Sequence, residues 1–348
     1  MPDFDVIGMG ALNVDRVYSV PRVIIDGAQI VGDAVAEAGG CSANAAYALA
    51  KLGLRCGAVG AVGDDADAEI VLGSFAEVGV DTSRVARKAG ASTGSALIFA
   101  DEEGNRAMYI RSGANAQFGP EDVDASYVAS ARLLLLSSFN GDIPLAVQSS
   151  AVEALPETTL VGLAIDGLYA RRGLEALAGI VGRSVVLFSN GDELGELTGL
   201  ELPAAAQAIL GLGCRTVVVT FGRGVARRPW MAAAESIGEA ALQHAPEADP
   251  PLAEAQGEEL PIVCWVASGE GQWVLPALPT HAGPIVDATG AGDAFAAGFL
   301  WGFLAGEPLP RCASLGHVAA GFCLTSMGCR VGLPTREALL GRHARYFR

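Results

Sequence analysis

The segment DATGAGDAFAAGFL, residues 287–300, places one carboxylate, Asp293, between a turn of small residues and a wholly apolar run. Glycines let backbone N–H groups turn inward at the start of a helix, where unpaired donors and the helix dipole bind an anion. A phosphoryl group held there would lie beside Asp293, which could accept a proton. The same spacing would suit a helix cap. Residues 294–305 predict a buried helix that ends near Gly306.

A second pair of polar residues follows an apolar run in SNGDELGELTG, residues 189–199. Asn190 and Glu193 lie three residues apart, so on a helix they share one face and could hold a hydrated Mg²⁺. The same spacing fits a capping box, in which Asn190 caps the helix and Glu193 reaches back to it. Taken alone, the motif favours the cap.

A glycine-rich turn also follows the apolar run that ends near Thr220, in the sequence VTFGRG. Gly222 and Gly224 would let backbone N–H groups face a nucleotide phosphate, with Arg223 beside them. A purely structural turn is the simpler interpretation of this motif.

Short polar side chains follow the first apolar run and precede the first helical pattern. Asn13 and Asp15 lie in GALNVD, and Gly40 and Asn44 lie in GGCSAN. Carboxylates and carboxamides offer forked donors and acceptors that suit hydroxyl-rich ligands. They are equally common in ordinary turns.

Apolar runs that alternate with helical patterns connect these motifs. Strands are predicted at 4–12, 54–63, 131–139, 158–166, 184–190 and 215–222, several of them apolar on both faces as in a buried parallel sheet. Helices are predicted at 42–53, 67–79 and 171–182. The alternation predicts an α/β fold of three layers, with a doubly wound, mostly parallel sheet between helices.

Three stretches interrupt this alternation. Residues 13–40 and 91–118 have the pattern of β-hairpins, the second with a DEEGN turn, and could form a small separate sheet. Residues 231–260 hold seven acids and no Lys or Arg, which predicts a solvated acidic insertion.

The composition argues against several classes of function. The 348 residues carry 39 acids against 23 Lys and Arg, a net charge of −16, which disfavours binding to nucleic acid or to membrane surfaces. No basic and apolar leader opens the chain, and the seven cysteines form no CxxC pair. We therefore expect a cytoplasmic protein with reduced thiols.

In this order, the motifs resemble those of the ribokinase-like (phosphofructokinase-B type) carbohydrate kinases over nearly the whole chain. GALNVD resembles the family's first substrate segment, GGCSAN its glycine-glycine-Asn signature, and RSGAN the segment that returns from a lid. NGDE resembles its Asn-x-x-Glu magnesium motif, and DATGAGDAFAAGFL resembles its C-terminal signature. The resemblance implies a ribokinase-like fold. Its nucleotide- and substrate-binding core would comprise residues 1–12, 41–90 and 119–348, with the insertion 231–260 inside it, and its β-lid would comprise 13–40 and 91–118.

The resemblance further implies a kinase that transfers a phosphoryl group from ATP or ADP to a hydroxyl of a sugar or sugar derivative, with Asp293 as the base. The anion hole would be the backbone of Gly290, Ala291, Gly292 and Asp293. Magnesium would bind Asn190 and Glu193, the nucleotide would bind Asn190, Thr220, Gly222 and Gly224, and sugar hydroxyls would bind Asn13, Asp15, Gly40 and Asn44. A monovalent cation as cofactor and a homodimer through the lid stay open.

The chain departs from the family pattern at two places. The turn from Thr220 to Gly224 is one residue shorter than the family's Thr-x-Gly-x-x-Gly, so the choice between ATP and ADP stays open. The interval 225–286 is longer than usual, mainly through the acidic insertion.

The acceptor also stays open among sugar, sugar acid, sugar phosphate and nucleoside. Alternation places Tyr109 and Arg111 of YIRSGAN on one strand face, which the resemblance turns towards the acceptor, where Arg111 would bind an anion. Alternatively, Arg111 pairs with an acid such as Asp33 or Glu37, or points to solvent.

Two other classes of function are kept as rivals. A Rossmann-type oxidoreductase would carry GxGxxG after the first strand, where this chain has GMGALN. A non-catalytic sugar or nucleoside sensor on the same fold would lack Asp293 or the pair Asn190 and Glu193, and all three are present.

Overall fold

The structure is a computed structural model that describes residues 2–101, 106–237, 260–280 and 283–347. The strands are β1 Phe4–Met9, β2 Asn13–Ser19, β3 Val35–Gly39, β4 Cys56–Val62, β5 Asp81–Arg87, β6 Gly94–Ala100, β7 Arg106–Arg111, β8 Ala131–Leu136, β9 Leu160–Ala164, β10 Val186–Asn190, β11 Thr216–Val225, β12 Glu235–Ser236, β13 Ile262–Ser268 and β14 Gly271–Pro276. The helices are α1 Cys41–Lys51, α2 Ala66–Val78, α3 Ala125–Ala129, α4 Asp142–Ala154, α5 Gly167–Ala170, α6 Leu174–Arg183, α7 Gly191–Thr198, α8 Leu202–Gly211, α9 Ala291–Leu304, α10 Leu309–Cys323 and α11 Arg336–Tyr346.

Within the described ranges, ten strands form a large sheet in the order β12-β14-β13-β11-β10-β9-β8-β1-β4-β5. The seven neighbours from β11 to β5 pair in parallel, whereas β13 runs antiparallel to both β11 and β14. Alternate residues of a strand enter opposite cores: Leu134 packs with α4, α6 and α8, and Leu133 packs with α1, α2 and α9. Helices on both faces of a mostly parallel sheet confirm the predicted α/β fold class.

Five of the six predicted strands contain a strand of the large sheet, and the sixth, 215–222, covers the first part of β11. Strands β5, β12, β13 and β14 were not predicted. Strand β5 is a half-exposed edge strand of mostly polar residues, β12 lies within the segment 231–260, and β13 and β14 form an antiparallel hairpin that follows this segment in the chain.

A second, small sheet has the order β3-β2-β6-β7. Strands β2 and β3 are antiparallel, as are β6 and β7, and the two pairs join in parallel through β2 and β6. All four strands fall inside the predicted ranges 13–40 and 91–118, so the small sheet of the predicted fold class is confirmed. Residues 102–105 of the predicted DEEGN turn lie outside the described residues.

Helix α9 begins three residues earlier than the predicted helix and packs closely on α10. Gly290 precedes it with a left-handed φ of 77°, and a Cβ there would lie 2.8 Å from Cys329 Cβ, so only glycine fits. The two helices approach so closely that a Cβ on Gly298 would lie 2.7 Å from Leu315 O. Among the described residues, no helix combines the length and apolarity needed to span a membrane.

The description of residues 231–260 as a solvated insertion was wrong for its first part. Met231 is fully buried, and Glu235–Ser236 pair in parallel with β14. Ala234 and Ile237 are buried as well. These apolar side chains make residues 231–237 part of the sheet edge and its core. Residues 238–259 lie outside the described residues.

Candidate active site

The site lies where parallel strands of the large sheet end along one edge, which is where open α/β sheets bind their ligands. Asp166 follows β9, and Asn190 ends β10 beside Thr220 of β11 in the parallel register. On the other side, the start of α1 meets the chain after β1. A Cβ on Gly40 would lie 2.1 Å from Ala11 O, and Gly40 has a φ of 104°. Gly40 is thus explained by this close approach.

Asp293 lies in the first turn of α9 and is contacted by α1. Asn44 Nδ2 donates a hydrogen bond of 2.8 Å to Asp293 Oδ2. Asn44 Oδ1 in turn accepts a bond of 2.9 Å from Arg330 Nε. The structure therefore brings together two predicted site residues, Asn44 and Asp293, and adds Arg330, which sequence reasoning missed.

Burial of its carboxylate raises the pKa of Asp293 to about 6, and the charge of Asp166 contributes to the rise. Hydrogen bonds from Asn44 and from the Cys41 thiol, together with the charge of Arg330, oppose it. An acid with this pKa is ionised at neutral pH and can still take up a proton.

Asp293 is not the cap of α9. Gly290 occupies the N-cap position, and no side-chain hydrogen bond caps this helix in the structure. Ala291 N–H donates to Ala288 O, whereas no backbone oxygen of the described residues accepts from the N–H of Gly292 or Asp293. These two donors at the positive end of the helix dipole form an arrangement that can hold an anion.

Asp15 and Glu37 are direct neighbours on β2 and β3. Burial raises the pKa of each to about 7, and the charge of Arg330 opposes the rise at both. Glu37 Oε1 accepts a bond of 3.1 Å from Cys329 N–H. Asp15 is also close enough to Asp293 for that charge to raise its pKa further. The small sheet thus places two acids beside the candidate base.

Asn13 lies at the start of β2, and its side chain is already held by the protein. Asn115 Nδ2 donates to Asn13 Oδ1 at 3.0 Å, and Asn115 also binds both backbone polar atoms of Leu12. This leaves the amide nitrogen of Asn13 as the group that could meet a ligand hydroxyl.

Asn190 and Glu193 form the capping box of α7. Asn190 Oδ1 accepts from Glu193 N–H at 2.8 Å, and Glu193 Oε2 accepts from Asn190 N–H at 3.1 Å. Burial raises the pKa of Glu193 to about 7, Asp166 adds to the rise, and Arg106 opposes it. This capping box uses Glu193 Oε2 and leaves Glu193 Oε1 outside it.

The oxygen atoms of these side chains are potential donors to a magnesium ion. No group of three Asp, Glu, His or Cys residues in the described ranges forms a direct metal cage. Glu193 and Asp166 nevertheless place two partly buried carboxylates near each other at the strand ends. All-oxygen donors of this kind suit a magnesium ion that keeps most of its water, so the residues fit a water-mediated ion.

The predicted turn at Thr220 to Gly224 is instead a bulge inside β11. The strand continues to Val225, which pairs with Ile262, and the register with β13 shifts between Thr220 and Val225. Gly222 and Gly224 have left-handed φ values of 53° and 93°. The prediction that the strand stops at the glycines was wrong because β13 supplies partners beyond them.

Arg111 lies on the opposite face of the small sheet from Asp15. The register pairs Asp15 with Ala96 and Ala96 with Ile110, so these side chains share one face. Arg111 pairs with Ser95 on the other face. It lines an exposed groove there with Arg16, Ser95, Leu97 and Tyr109.

The register, which pairs Tyr109 with Leu97 and Arg111 with Ser95, confirms that Tyr109 and Arg111 share a face. This face is opposite to the one that carries Asp15, and the expectation that it turns towards the acceptor stays a prediction. The charge that Arg111 approaches is that of Asp65, whose pKa it helps to lower.

Sequence reasoning missed Arg330 and Asp166 as site residues. Asp166 is the last residue of a predicted strand, the same signal that singled out Asn190, so the pattern could have found it. Arg330 follows no recognised motif, and only the folded chain brings it to Asn44.

Comparison with known proteins agrees with this architecture. The model of the pfkB family carbohydrate kinases matches residues 4–224 and 263–336. An uncharacterized sugar kinase of Archaeoglobus fulgidus is 30% identical over 289 residues, which cover 82% of this chain and 98% of that protein.

Two solved structures share the fold. Arabidopsis thaliana ribokinase, solved with ribose and ATP, superposes with a TM-score of 0.75 at 22% identity and covers 98% of both chains. A protein described as ribokinase II of E. coli, solved with ATP and Mg²⁺, has a TM-score of 0.76 at 17% identity and covers 98% of this chain and 99% of its own. Because the family model matches most of its residues, this chain belongs to the pfkB family of carbohydrate kinases.

Proposed function

We propose that this protein transfers the γ-phosphoryl group of ATP to a hydroxyl of an uncharged sugar, free or as part of a nucleoside. The position of Asp293 carries the proposal. A carboxylate with a pKa of about 6 stands at the start of α9, beside two N–H groups without a backbone acceptor in the described residues. A proton acceptor and an anion site are what phosphoryl transfer to a hydroxyl requires.

In this mechanism Asp293 accepts the proton of the acceptor hydroxyl as the oxygen attacks phosphorus. The N–H groups of Gly292 and Asp293 and the dipole of α9 stabilise the negative charge of the transferred group. Asn44 holds the Asp293 carboxylate in place through the bond of 2.8 Å. Most of the rate acceleration then comes from positioning and charge neutralisation.

ATP is the proposed donor because both superposed kinases were solved with it. The proposed nucleotide contacts are Asn190 at the end of β10, Thr220 beside it on β11, and the bulge at Gly222 and Gly224. Glu193, Asn190 and Asp166 would hold magnesium through its water. When bound, the ion would neutralise charge on the phosphates.

An uncharged acceptor follows from the charges around Asp293. Asp15 and Glu37 face the same space, and the charges of both are coupled to Arg330. Arg330 already donates to Asn44 and Ser74. Three acids against one cation, two of whose three nitrogens are already engaged, would repel a carboxylate or phosphate on the acceptor and would accept hydrogen bonds from its hydroxyls. We propose the small sheet as the lid that covers this acceptor and excludes water.

The test is an acceptor panel built from pairs that differ in charge. Ribose and ribose phosphate, glucose and gluconate, and adenosine and AMP are offered with ATP and Mg²⁺, and then with ADP, and the phosphorylated product is measured. We expect transfer to the uncharged member of at least one pair and no transfer by Asp293→Asn. Preference for the charged members would overturn the acceptor class. Binding of a sugar without transfer from either nucleotide would favour the sensor.

A further inference from the structure

Arg330 is a buried cation, 6% exposed, in the loop between α10 and α11. Its Nε donates to Asn44 Oδ1 at 2.9 Å and its Nη1 donates to Ser74 Oγ at 2.6 Å. Its guanidinium carbon lies 5.0 Å from the centroid of the Tyr47 ring and 5.1 Å from that of Phe75. Two directed hydrogen bonds and two aromatic rings therefore fix the guanidinium in one orientation.

This orientation decides which way the Asn44 carboxamide points. A guanidinium has only donors, so Asn44 must turn its oxygen towards Arg330. Its NH₂ group then faces Asp293, to which it donates. Without Arg330 the carboxamide could turn over, and its oxygen would face an ionised carboxylate and disfavour that charge.

We propose that Arg330 is a positioning residue for phosphoryl transfer: it fixes the polarity of Asn44 and thereby keeps Asp293 ionised and directed at the acceptor hydroxyl. The inference rests on the proposed role of Asp293 as the base. Arg330 Nε and Nη1 are engaged by Asn44 and Ser74, whereas its buried Nη2 has no hydrogen-bond partner among the described residues. The proposal assigns the effect of Arg330 on Asp293 to the Nε bond with Asn44.

Groups on several elements affect the ionisation of Asp293. Asn44 and Cys41 donate to it from α1, and Asp166 opposes its ionisation from the start of α5. Asp15 on β2 is a further acid within range. Loss of the Arg330 charge and loss of the Asn44 donor would both raise the pKa of Asp293. The base would then need a higher pH to ionise.

The first test compares pH profiles of kcat/KM between pH 5 and 9 for the wild type, Arg330→Met and Ser74→Ala. Methionine fills the space between the rings without a charge or a donor. We expect its acid limb to move up by about one pH unit, the size of one lost charge interaction, which is about a tenfold loss of rate below the limb and recovery near pH 9. Ser74→Ala removes only the distal contact and should leave the limb in place. A uniform loss at every pH would mean a purely structural role and would overturn the proposal.

Two further variants keep the test decisive if Arg330→Met does not fold. Arg330→Lys keeps the charge but cannot reach Asn44 and Ser74 together, so its acid limb should move upward by a smaller amount. A larger shift in Arg330→Lys than in Arg330→Met would overturn the proposal. Asn44→Leu should also move the acid limb upward, and the double variant should move it by less than the sum of the two shifts, because residues that act in series are not additive. Additive shifts would show that Arg330 does not act through Asn44.

A second measurement does not depend on catalysis. Protein labelled with ¹³C at the aspartate carboxyls is titrated by NMR, and the Asp293 signal is identified by its loss in Asp293→Asn. We expect the pKa of Asp293 to rise by about one unit in Arg330→Met. If the pKa of Asp293 rises in Arg330→Met but the wild type phosphorylates no acceptor, the proposed function is rejected and the effect of Arg330 on Asp293 stands. An unchanged pKa in an active kinase would reject the role of Arg330 alone.

Discussion

Asn44 in α1 and Asp293 in α9 are 249 residues apart in the chain, and the carboxamide of one donates to the carboxylate of the other at 2.8 Å. This bond joins the two strongest motifs of the sequence, GGCSAN and DATGAGDAFAAGFL. It also changes the interpretation of Asn44. A residue expected to hold sugar hydroxyls already uses one amide hydrogen on Asp293 and its oxygen on Arg330.

The first prediction is that Asp293→Asn lowers kcat by at least about 100-fold, the usual size of a general-base contribution. The carboxamide cannot accept the acceptor's proton at any working pH. Its oxygen can still accept from Asn44, and Gly290 is the residue at the N-cap of α9. Thermal stability should therefore stay near that of the wild type. Normal turnover in the folded variant would remove Asp293 from the chemistry.

The second prediction concerns the pH dependence of stability through Asp15, which is 8% exposed. Burial raises its pKa from 3.8 to about 7, so between these values the folded protein holds a proton that the unfolded chain has released. Asp15 therefore favours folding less and less as pH rises through this window. Asp15→Asn removes the cost of burying the charge. We expect it to raise Tm at pH 8 by at least about 2 °C, the effect of about 1 kcal/mol at this size.

At pH 4 the gain from Asp15→Asn should nearly vanish, because the wild-type carboxyl is already neutral in the folded protein. Differential scanning calorimetry of both proteins at pH 4, 6 and 8 measures this trend. A loss at pH 8 would show that the charge of Asp15 is compensated by Arg330 and not penalised by burial, and a gain that is equal at all three values would show that it does not come from this charge.

The elements that carry the site could be predicted because their signals are local. Runs such as 184–190 are apolar on both faces, and a polar residue such as Asn190 marks where each one ends. In a parallel sheet these ends meet at one edge. Polar residues at the ends of predicted strands are therefore candidate site residues, and Asp166 is one of them.

The rest depends on long-range packing that no local pattern encodes. Alternation correctly puts Tyr109 and Arg111 on one face, but which face is turned inward is set by the register of β7 on β6 and of β6 on β2. The position of Arg330 depends on the loop between α10 and α11, which folds back on α1. Met231 lies in an Ala- and Glu-rich stretch whose composition predicts exposure to solvent, yet its large apolar side chain is fully buried.

The third prediction separates magnesium binding from capping at Glu193. Glu193→Gln keeps an oxygen for the N–H of Asn190, now bonded at 3.1 Å, but it carries no charge for a hydrated ion. We expect the magnesium concentration for half-maximal rate to rise by about tenfold, as for outer ligands of metal sites, with little change in Tm. Asp192→Asn is the matched control, since it removes an exposed charge from the same helical turn. An equal effect of both variants would assign the change to net charge.

The fourth prediction is that Arg111→Met leaves KM for the acceptor within about twofold of the wild type, because the side chain lies on the face away from Asp15. Asp15→Asn should instead raise that KM by about tenfold or more, the scale of a lost hydrogen bond to a charged group. The two variants are compared with the best acceptor from the panel. A large KM effect confined to Arg111→Met would mean that its groove, and not the Asp15 face, meets the acceptor.

The last prediction is that residues 238–259 can be replaced by a linker of six Gly and Ser residues without loss of the folded kinase. The two flanks are held on either side of one strand: Ile237 N–H donates to Val274 O, and Ala277 N–H donates to Pro261 O. Two strand spacings separate these flanks, about 10 Å, and six residues span up to about 20 Å. A second variant that removes 231–259 takes away the buried Met231 and the pairing of β12 with β14 as well. We expect the first variant to keep its Tm within about 3 °C, the effect of about 1 kcal/mol, and the second to be clearly less stable. Insoluble protein from the first variant would show that the segment 238–259 is needed for folding.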